Sequence, residues 1–358
     1  MSDLTEQWCE RVRAAATSGT ALQLRGGATK GFYGRNPAGE VFDTRGHAGV
    51  VSYEPTELVV TVRAGTPLAA LEALLAERNQ MLAFEPPHFG AGATVGGCVA
   101  AGLSGPRRHA AGALRDFVLG VKIIDGRGDV LSFGGQVMKN VAGYDVSRAI
   151  AGSLGTLGLI LDVSLKVLPR PVAETTLRFA MGEKEAIDRL NDWGGQPLPL
   201  SASAWCEGAL HLRLSGAEAA VRSAERKLGG EVLAADMAGN FWQSVREHTD
   251  DFFATATAPG EVLWRLSLPS SAAPVKLAGQ QFIEWGGALR WLRSDAAADT
   301  IRERVASLGG HATAFRGFDR EGEVFHPLAA PLMVIHGRLK QAFDPAGIFN
   351  PGRFYNGL

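Results

Sequence analysis

The stretch Gly90-Ala-Gly-Ala-Thr-Val-Gly-Gly-Cys-Val-Ala-Ala-Gly-Leu-Ser-Gly105 decides how the rest of this sequence is interpreted. Its glycines, at positions 90, 92, 96, 97, 102 and 105, allow positive φ angles and a close approach of the backbone to a ligand. Backbone N–H groups exposed in such a loop, or at the start of a helix, attract anionic oxygens. The pattern predicts a cradle for phosphate groups, and a small-residue packing loop is the alternative for such a run taken alone.

Two further glycine runs flank this stretch. They are Arg25-Gly-Gly-Ala-Thr-Lys-Gly31 and Gly152-Ser-Leu-Gly-Thr-Leu-Gly158. Strand-like sequence leads into the first of them and follows the other. Arg25 can pair with a diphosphate or fix the loop, and Lys30 is either a solvated charge or a phosphate contact. Three glycine runs next to strands favour the cradle over a packing loop.

Composition excludes several classes of partner. The chain has 358 residues, with 36 Lys and Arg against 37 Asp and Glu, and a net charge of −1. This balance favours neither nucleic acid nor an anionic membrane surface. The amino terminus carries Asp3, Glu6 and Glu10 where a signal peptide would be basic and then apolar, and the apolar stretch Leu154 to Leu168 is interrupted by charges. The sequence therefore predicts a soluble, cytoplasmic protein with no membrane span of its own.

Cysteines and histidines are not spaced like metal ligands. Cys9, Cys98 and Cys206 are far apart, with no Cys-x-x-Cys pair, and the eight histidines show no His-Glu-x-x-His spacing. We therefore expect no metal site and no iron–sulfur cluster, and we expect the cysteines to be small buried side chains.

We divide the chain into domains at 1–171 and 172–327 and a C-terminal segment at 328–358. In the first part we expect helices at 4–17, 67–78 with Thr66 as N-cap, 95–101 and 144–151, and strands at 21–25, 41–43, 49–53, 57–63, 114–125, 129–133 and 157–168. In the second we expect an antiparallel sheet of strands at 176–179, 202–205, 210–214, 262–268 and 288–292, with helices at 183–193, 217–228 and 296–308 on one face. The tail predicts a helix at 331–343 followed by tight turns.

These motifs together resemble the FAD-binding proteins of the vanillyl-alcohol oxidase type, also called PCMH-type flavoproteins. Arg25 to Gly31, Gly92 to Gly97 and Gly152 to Gly158 resemble the three pyrophosphate loops of the family, and Phe343 to Arg353 resembles its C-terminal return to the flavin domain. Further matching segments are Tyr53-Glu-Pro-Thr-Glu-Leu-Val-Val-Thr61, Phe84-Glu-Pro-Pro-His-Phe-Gly90 and Lys139-Asn-Val-Ala-Gly-Tyr-Asp145. The resemblance implies an α+β fold, namely a two-subdomain PCMH-type FAD-binding domain with an α+β cap domain.

The resemblance also implies FAD as the cofactor and a set of residues that bind it. In the first loop these are Arg25, Gly26, Gly27, Ala28, Thr29, Lys30 and Gly31. In and around the second loop they are Pro87, Gly90, Gly92, Ala93, Thr94, Gly96, Gly97, Gly102, Ser104 and Gly105. The remainder, from the third loop and the tail, are Gly152, Ser153, Gly155, Thr156, Gly158, Leu159, Ile160 and Asn350.

Three departures from the family pattern affect the expected mechanism. Thr29 stands where relatives with covalent flavin carry a histidine, so FAD is expected to bind without a covalent bond. Ala28 replaces a frequent glycine, which implies φ < 0 at that residue. Leu154 replaces the glutamate of the third loop, and the His-x-Gly-Asp-Gly-Asn-x-His segment of the catalytic dehydrogenases does not occur in the chain. The catalytic residues therefore stay unassigned.

Within the family, the motifs imply an FAD-binding subunit of a glycolate oxidase complex. Such a chain works beside a catalytic flavin subunit and an iron–sulfur subunit, which together oxidise a small 2-hydroxy acid, glycolate, to glyoxylate. It would reach the inner membrane only through those partner subunits. Most of the seven tryptophans lie in the cap, where exposed rings would mark a docking surface and buried rings a core.

Two other functions stay open. One is a self-sufficient FAD-dependent 2-hydroxy-acid oxidase or dehydrogenase, with His88, His326 or His336 as its base, although each fits a structural histidine as well. The other is a non-catalytic assembly scaffold, against which the intact glycines of all three loops argue. A nicotinamide-binding Rossmann domain is not favoured, because a Pro-Pro turn precedes Gly90 and the glycines fall late in the domain.

Overall fold

The computed structural model describes residues 4–135, 145–254 and 260–358. The elements of the first half, in chain order, are α1 (Thr5–Ser18), β1 (Leu22–Arg25), β2 (Glu40–Asp43), β3 (Val50–Glu54), β4 (Val59–Arg63), α2 (Leu68–Ala76), β5 (Gln80–Met81), α3 (Val95–Ala101), α4 (Arg108–Ala111), α5 (Leu114–Phe117), β6 (Val118–Ile124), β7 (Val130–Gly134), α6 (Val146–Ile150), β8 (Leu159–Lys166) and β9 (Leu168–Pro169).

Three sheets lie in this half of the chain. A five-stranded antiparallel sheet has the order β3-β4-β8-β6-β7, β1 and β2 form a separate parallel pair, and the short strands β5 and β9 form an antiparallel pair. The leucines of α2 at positions 68, 71 and 75 recur at i, i+3 and i+7, and they pack with the valines of β4 in one core. Trp8 and Val12 of α1 pack on Leu159 and Leu161 in the first half of β8. The predicted amphipathic face of α2 is therefore the one that holds it on the sheet.

The cap follows in the second half of the chain. Its elements are β10 (Ala173–Ala180), α7 (Glu183–Gly194), β11 (Leu200–Cys206), β12 (Ala209–Gly216), α8 (Glu218–Leu228), β13 (Glu231–Val232), α9 (Ala235–Glu247), α10 (Asp251–Ala254), β14 (Val262–Ser267), β15 (Gln280–Glu284), β16 (Leu289–Ser294), α11 (Ala298–Ser307) and β17 (His311–Arg316). The tail that follows the cap contains the C-terminal helix α12 (Ala330–Phe343). The eight strands form one antiparallel sheet in the order β13-β10-β12-β11-β15-β16-β14-β17.

Helices cover both faces of the cap sheet, which corrects the expectation of helices on one face. The leucines of β12 at positions 210, 212 and 214 pack with α7 and α8. His211 and Arg213 alternate with them and point the opposite way, against Phe241 and Trp242 of α9. The helix α9, which the sequence did not predict, thus lies between the cap sheet and the glycine loops.

The tail returns to the first half of the chain. Phe349 forms a parallel bridge with Leu22 at the start of β1. At the end of α12, Lys340 donates to the carbonyl oxygens of Thr156 and Phe349, both at 2.8 Å, and to the carboxylate of Asp344 at 2.7 Å. The buried ammonium of Lys340 thereby joins the third glycine loop to the tail.

Several local expectations differ from the structure. Thr66 does not cap α2, because its hydroxyl donates instead to the carbonyls of Arg63 and Gly49. The segment 114–125 begins with the helical turn α5 before β6. The cap strands β13, β15 and β17 were not predicted, and residues 139–144 of the expected motif and helix lie outside the described residues.

The tryptophans are core residues. Six of the seven are buried, and Trp205 is half-buried. The idea that tryptophan rings mark a docking surface is therefore wrong. Within the described ranges of the chain, none of the helices combines the length and the apolar character that crossing a membrane requires.

Candidate functional site

The three glycine loops meet backbone to backbone. A Cβ atom added to Gly27 in the first loop would lie 1.5 Å from the carbonyl oxygen of Gly92 in the second. A Cβ atom added to Gly102, at the end of the second loop, would lie 2.7 Å from the Cα atom of Gly152 in the third. No side chain fits at either contact, because real Cβ atoms do not approach other atoms so closely. The absence of a side chain at Gly27 and Gly102 therefore allows the backbones of the three loops to pack against each other.

Most glycines of the second loop serve close packing and not a special backbone conformation. Of the six, only Gly90 (φ 143°) and Gly102 (φ 65°) have positive φ, which corrects the expectation for the other four. Thr94 caps α3, since its Oγ1 accepts a hydrogen bond from the N–H of Gly97 at 3.2 Å. A Cβ atom on Gly96 would lie 2.6 Å from the Cβ atom of Ala64, the residue that follows β4, so Gly96 allows α3 to pack beside the end of that strand.

A cavity of about 300 Å³ lies between the first and second loops, and a smaller one of about 70 Å³ adjoins it toward the third. Predicted residues that line one or both are Arg25, Gly26, Gly27, Ala28, Thr29, Lys30, Gly31, Thr94, Gly96, Gly97, Gly155, Gly158, Leu159, Ile160 and Asn350. Residues that line them without having been predicted are Gln23, Leu24, Asn36, Pro37, Thr44, Ala64, Ala100, Ala101, Leu154, Arg320 and Arg353.

The other predicted residues lie elsewhere. Pro87, Ser104 and Gly105 line a separate cavity of about 20 Å³ under the cap. Gly90, Gly92, Ala93, Gly102, Gly152, Ser153 and Thr156 belong to the loops but do not line the two cavities. The sequence did not predict Arg320 and Arg353, because they lie in the cap and the tail, outside the glycine loops. The turn that ends in Arg353 was nevertheless visible in the sequence.

The larger cavity is cationic. Arg25, Lys30, Arg320 and Arg353 line it, and no Asp or Glu stands among its described lining residues. Burial lowers the pKa of Lys30 and of Arg320, and burial together with the neighbouring Arg320 lowers the pKa of Arg353 to about 10. Cations crowded in this way are stabilised by a bound anion. The donors and the glycine surfaces fit a diphosphate group.

Asn350 connects the first and third loops. Its Oδ1 accepts a hydrogen bond from the N–H of Leu24 at 2.9 Å, and its Nδ2 donates to the carbonyl of Leu154 at 2.7 Å. Asn350 is buried and therefore fixes the third loop relative to Leu24 in β1, the strand that leads into the first loop.

Ala28 adopts the left-handed conformation, with φ of 57°, contrary to the negative φ expected for a residue that replaces glycine. Left-handed φ costs a residue with a Cβ atom roughly 1 kcal/mol. The N–H of Gly31 donates to the carbonyl of Ala28 at 2.9 Å, so the turn of the first loop imposes this conformation.

The three candidate histidine bases do not line the cavity. His88 shares a hydrogen bond of 2.9 Å between its Nε2 and the Glu72 carboxylate. His326 is half-buried, with a pKa lowered by burial and then by Arg302, and His336 is exposed on α12. None of the three lies where a base for a substrate at the cavity would be needed.

Aromatic side chains fill the junction between the cap and the second loop. Phe89, which precedes the loop, lies 4.9 Å from His248, and His248 stacks on Phe253 at 4.1 Å between ring centroids. Trp291 and Phe315 close the group at 4.8 Å. The cavity of about 20 Å³ beside them has room for about one water molecule.

Comparison with known proteins defines the class. Residues 4–134 match the family model described as FAD binding domain. Structures of alkyldihydroxyacetonephosphate synthase share the fold, with a TM-score of 0.67 at 14% identity over 96% of this chain and 74% of that one. The structural likeness shows the fold, and the family model together with the full-length relative described next shows that the chain is a flavoprotein of the FAD-dependent oxidoreductases with FAD as its cofactor.

The full-length comparison is more specific. Over 353 residues, 99% of this chain and 98% of the other, the sequence is 49% identical to glycolate oxidase subunit GlcE of Escherichia coli strain K12. The chain belongs to the family of this glycolate oxidase subunit. Glycolate oxidase subunit GlcD of Bacillus subtilis strain 168 is 32% identical over 129 residues, which cover 36% of this chain and 27% of that protein.

Proposed function

We propose that the three loops hold FAD without a covalent bond. The surface of Gly26, Gly27 and Gly97 accepts the diphosphate, and Arg25 and Lys30 neutralise its charge. When bound, FAD supplies a group that accepts two electrons from a substrate or exchanges single electrons with a partner. Thr29 lines the cavity where covalent relatives carry histidine, so acid precipitation of the protein should leave the flavin in solution.

We propose further that this chain is the FAD-binding subunit of a glycolate-oxidising complex and does not oxidise glycolate alone. The observation that carries this proposal is the lining of the cavity, in which no His, Asp or Glu occurs among the described residues. Oxidation of a 2-hydroxy acid needs a base for the hydroxyl proton as well as a cation for the carboxylate. Arginines offer the second function and not the first, because they stay protonated.

The partners proposed are a catalytic flavin subunit, which oxidises glycolate to glyoxylate, and an iron–sulfur subunit, which receives the electrons. The relatives at 49% and 32% identity are both named as subunits of glycolate oxidase, which supports an assembly. The three cysteines of this chain are too few for a four-cysteine cluster, so an iron–sulfur centre needs another chain. We place the chain in the cytoplasm, with access to the inner membrane through those partners.

One observation favours the self-sufficient enzyme as a second candidate. Lys30 lines the cavity, and burial lowers its pKa, which makes a lysine a better base. Its Nζ donates to the carbonyl of His88 at 3.2 Å, however, and so already has a structural partner. If Lys30 were the base, replacing it with arginine would abolish glycolate oxidation while FAD stayed bound.

The proposed electron path can be tested by reconstitution. The two partner subunits are combined with the unaltered chain or with Gly97→Val, whose side chain enters the cavity, and glycolate-dependent reduction of a dye is measured. We expect the Gly97→Val complex to lose activity and the buried control Cys98→Ser to keep it. Full activity of a Gly97→Val complex that assembles without FAD in this chain would contradict the proposal.

A further inference from the structure

A cap side chain holds the backbone that follows the first loop. Arg320 lies four residues beyond the end of β17. It donates from Nε to the carbonyl oxygen of Gly34 at 3.0 Å, and from Nη2 to those of Gly31 at 2.7 Å and Arg35 at 3.1 Å. Two contacts run the opposite way, from Arg35 to the carbonyl of Gly322 and from Asn36 to the carboxylate of Glu321. Gly31 lines the cavity, so these contacts determine part of its wall.

A second cap side chain holds the turn that precedes the second loop. Glu247 is the last residue of α9, and its Oε2 accepts hydrogen bonds from the N–H groups of His88 at 3.0 Å and Phe89 at 2.9 Å. Adjacent backbone N–H groups form an anion-binding concavity, and here the anion is a carboxylate from the cap. At the start of the same turn, Glu85 pairs with Arg213 of β12 at 2.9 Å.

These contacts join the two loops to the cap through charged side chains. The charges suit their targets, because the guanidinium of Arg320 meets carbonyl oxygens and the carboxylate of Glu247 meets N–H groups. Charge-assisted hydrogen bonds are shorter and stronger than neutral ones, and they fix the direction of approach. Both loops are therefore held in the cavity-forming arrangement from the side of the cap.

We propose that Arg320 and Glu247 are positioning residues that couple the docking of the cap to the binding of FAD. With the cap in place, the first and second loops are held ready for the cofactor, and bound FAD in turn holds the cap. Coupling between two equilibria is reciprocal, so either effect requires the other. The proposal rests on the assignment of FAD to this cavity, and the FAD content of the unaltered chain tests that assignment separately.

The test uses the FAD-loaded chain and two measurements. The first is the rate of FAD release on dilution, followed by the rise in flavin fluorescence, for the unaltered chain, Arg320→Gln and Glu247→Gln. The second is hydrogen exchange of the cap segments 244–249 and 317–323 with and without FAD. Arg304→Gln is the matched control for arginine, because its Nε donates to the carbonyl of Val275 at 2.7 Å within the cap. Glu231→Gln, from an exposed ion pair with Arg178, is the control for glutamate.

We expect FAD release to accelerate about fivefold or more in both variants, the lower end of measured couplings between sites. FAD should protect the two cap segments in the unaltered chain and in both controls, and this protection should be lost in the variants. A merely structural contact would not make cap exchange depend on FAD. If Arg320→Gln fails to fold, Arg320→Lys replaces it, because lysine keeps the positive charge but cannot donate from two nitrogens as Nε and Nη2 of Arg320 do. We expect Arg320→Lys to release FAD faster than the unaltered chain but less than fivefold faster. The proposal would be overturned if the variants released FAD as slowly as the unaltered chain and if FAD protected their cap segments from hydrogen exchange to the same extent.

Discussion

Glu284 is a carboxylic acid enclosed at the junction of the cap and the second loop. It is 3% exposed and accepts a hydrogen bond from Nε1 of Trp291 at 2.8 Å. Burial raises its pKa to about 7, against the lowering effects of that hydrogen bond and of Arg265. The folded protein therefore keeps a proton on Glu284 at pH values where the unfolded chain, with its ordinary pKa of 4.5, has released it.

Glu284 makes the folded protein less stable as the pH rises. As pH rises from about 4.5 to about 7, the unfolded state loses this proton first, so Glu284 lowers the free energy of unfolding progressively through that window. Glu284→Gln keeps an acceptor for Trp291 and cannot ionise. We expect the variant to be more stable than the unaltered chain at pH 8, by at most about 3 kcal/mol, and equally stable near pH 4.5.

Thermal melting of both proteins across this pH range checks the prediction. Glu231→Gln, a substitution in an exposed ion pair, is measured beside it as the control for the loss of a glutamate charge. If the difference in melting temperature between Glu284→Gln and the unaltered chain stayed constant from pH 4.5 to pH 8, Glu284 would not be held protonated in the folded protein.

At the scale of the element, α3 has two different neighbours. Gly96 faces Ala64, the residue that follows β4, and a Cβ atom on Gly96 would lie 2.6 Å from the Cβ atom and 3.0 Å from the carbonyl oxygen of Ala64. Gly97 lines the cavity, and the nearest atom to its missing Cβ is Oγ1 of Thr94 at 3.1 Å. Gly96 therefore allows α3 to pack and lines only the smaller cavity, whereas Gly97 lines the larger one as well.

Valine substitutions at these two glycines should therefore lower two different quantities, the stability of the protein and its FAD content. Gly96→Val should lower the stability of the FAD-free protein by about 1–3 kcal/mol, since it forces α3 away from β4. Gly97→Val should change that stability less and should remove most of the FAD, because the side chain enters the cavity. Denaturant unfolding of FAD-free protein and the ratio of flavin to protein measure the two effects, with Cys98→Ser as the control. Equal flavin content in all three variants would refute the assignment of the cavity.

Local signals account for the elements that the sequence predicted. The helix expected at 95–101 is present as α3, and the valine-rich run at 59–63 indicated β4. The helix α9 was missed because Gly239 and Asn240 are poor helix formers in its middle, and contacts of Trp242 with the cap sheet hold it. Strand β15 was missed because its start, Gln280-Gln281, is polar.

Local sequence signals predicted only part of the candidate site as well. The glycine loops could be predicted because each carries its backbone requirement in its own sequence. Arg320 and Arg353 could not, because nearly 290 residues or more separate them from the Gly31 carbonyl that both of them bind. Their roles depend on how the cap and the tail pack, which no local pattern encodes.

The whole molecule brings three distant parts of the chain around one cavity. The glycine loops supply the surface, the tail supplies Asn350 and Arg353, and the cap supplies Arg320. The aromatic side chains between cap and second loop leave room for about one water molecule. The described lining of the proposed FAD cavity contains no His, Asp or Glu, which suits the proposed exchange of electrons with a partner better than oxidation of glycolate by this chain alone.

The most direct test of this account is rapid mixing of the isolated, FAD-loaded chain with glycolate under anaerobic conditions, while the absorbance of the flavin is followed. We predict that the flavin stays oxidised in the isolated chain and is reduced once the catalytic flavin subunit and the iron–sulfur subunit are present. Reduction of the flavin by glycolate in the isolated chain, as fast as the complex turns over, would contradict the account.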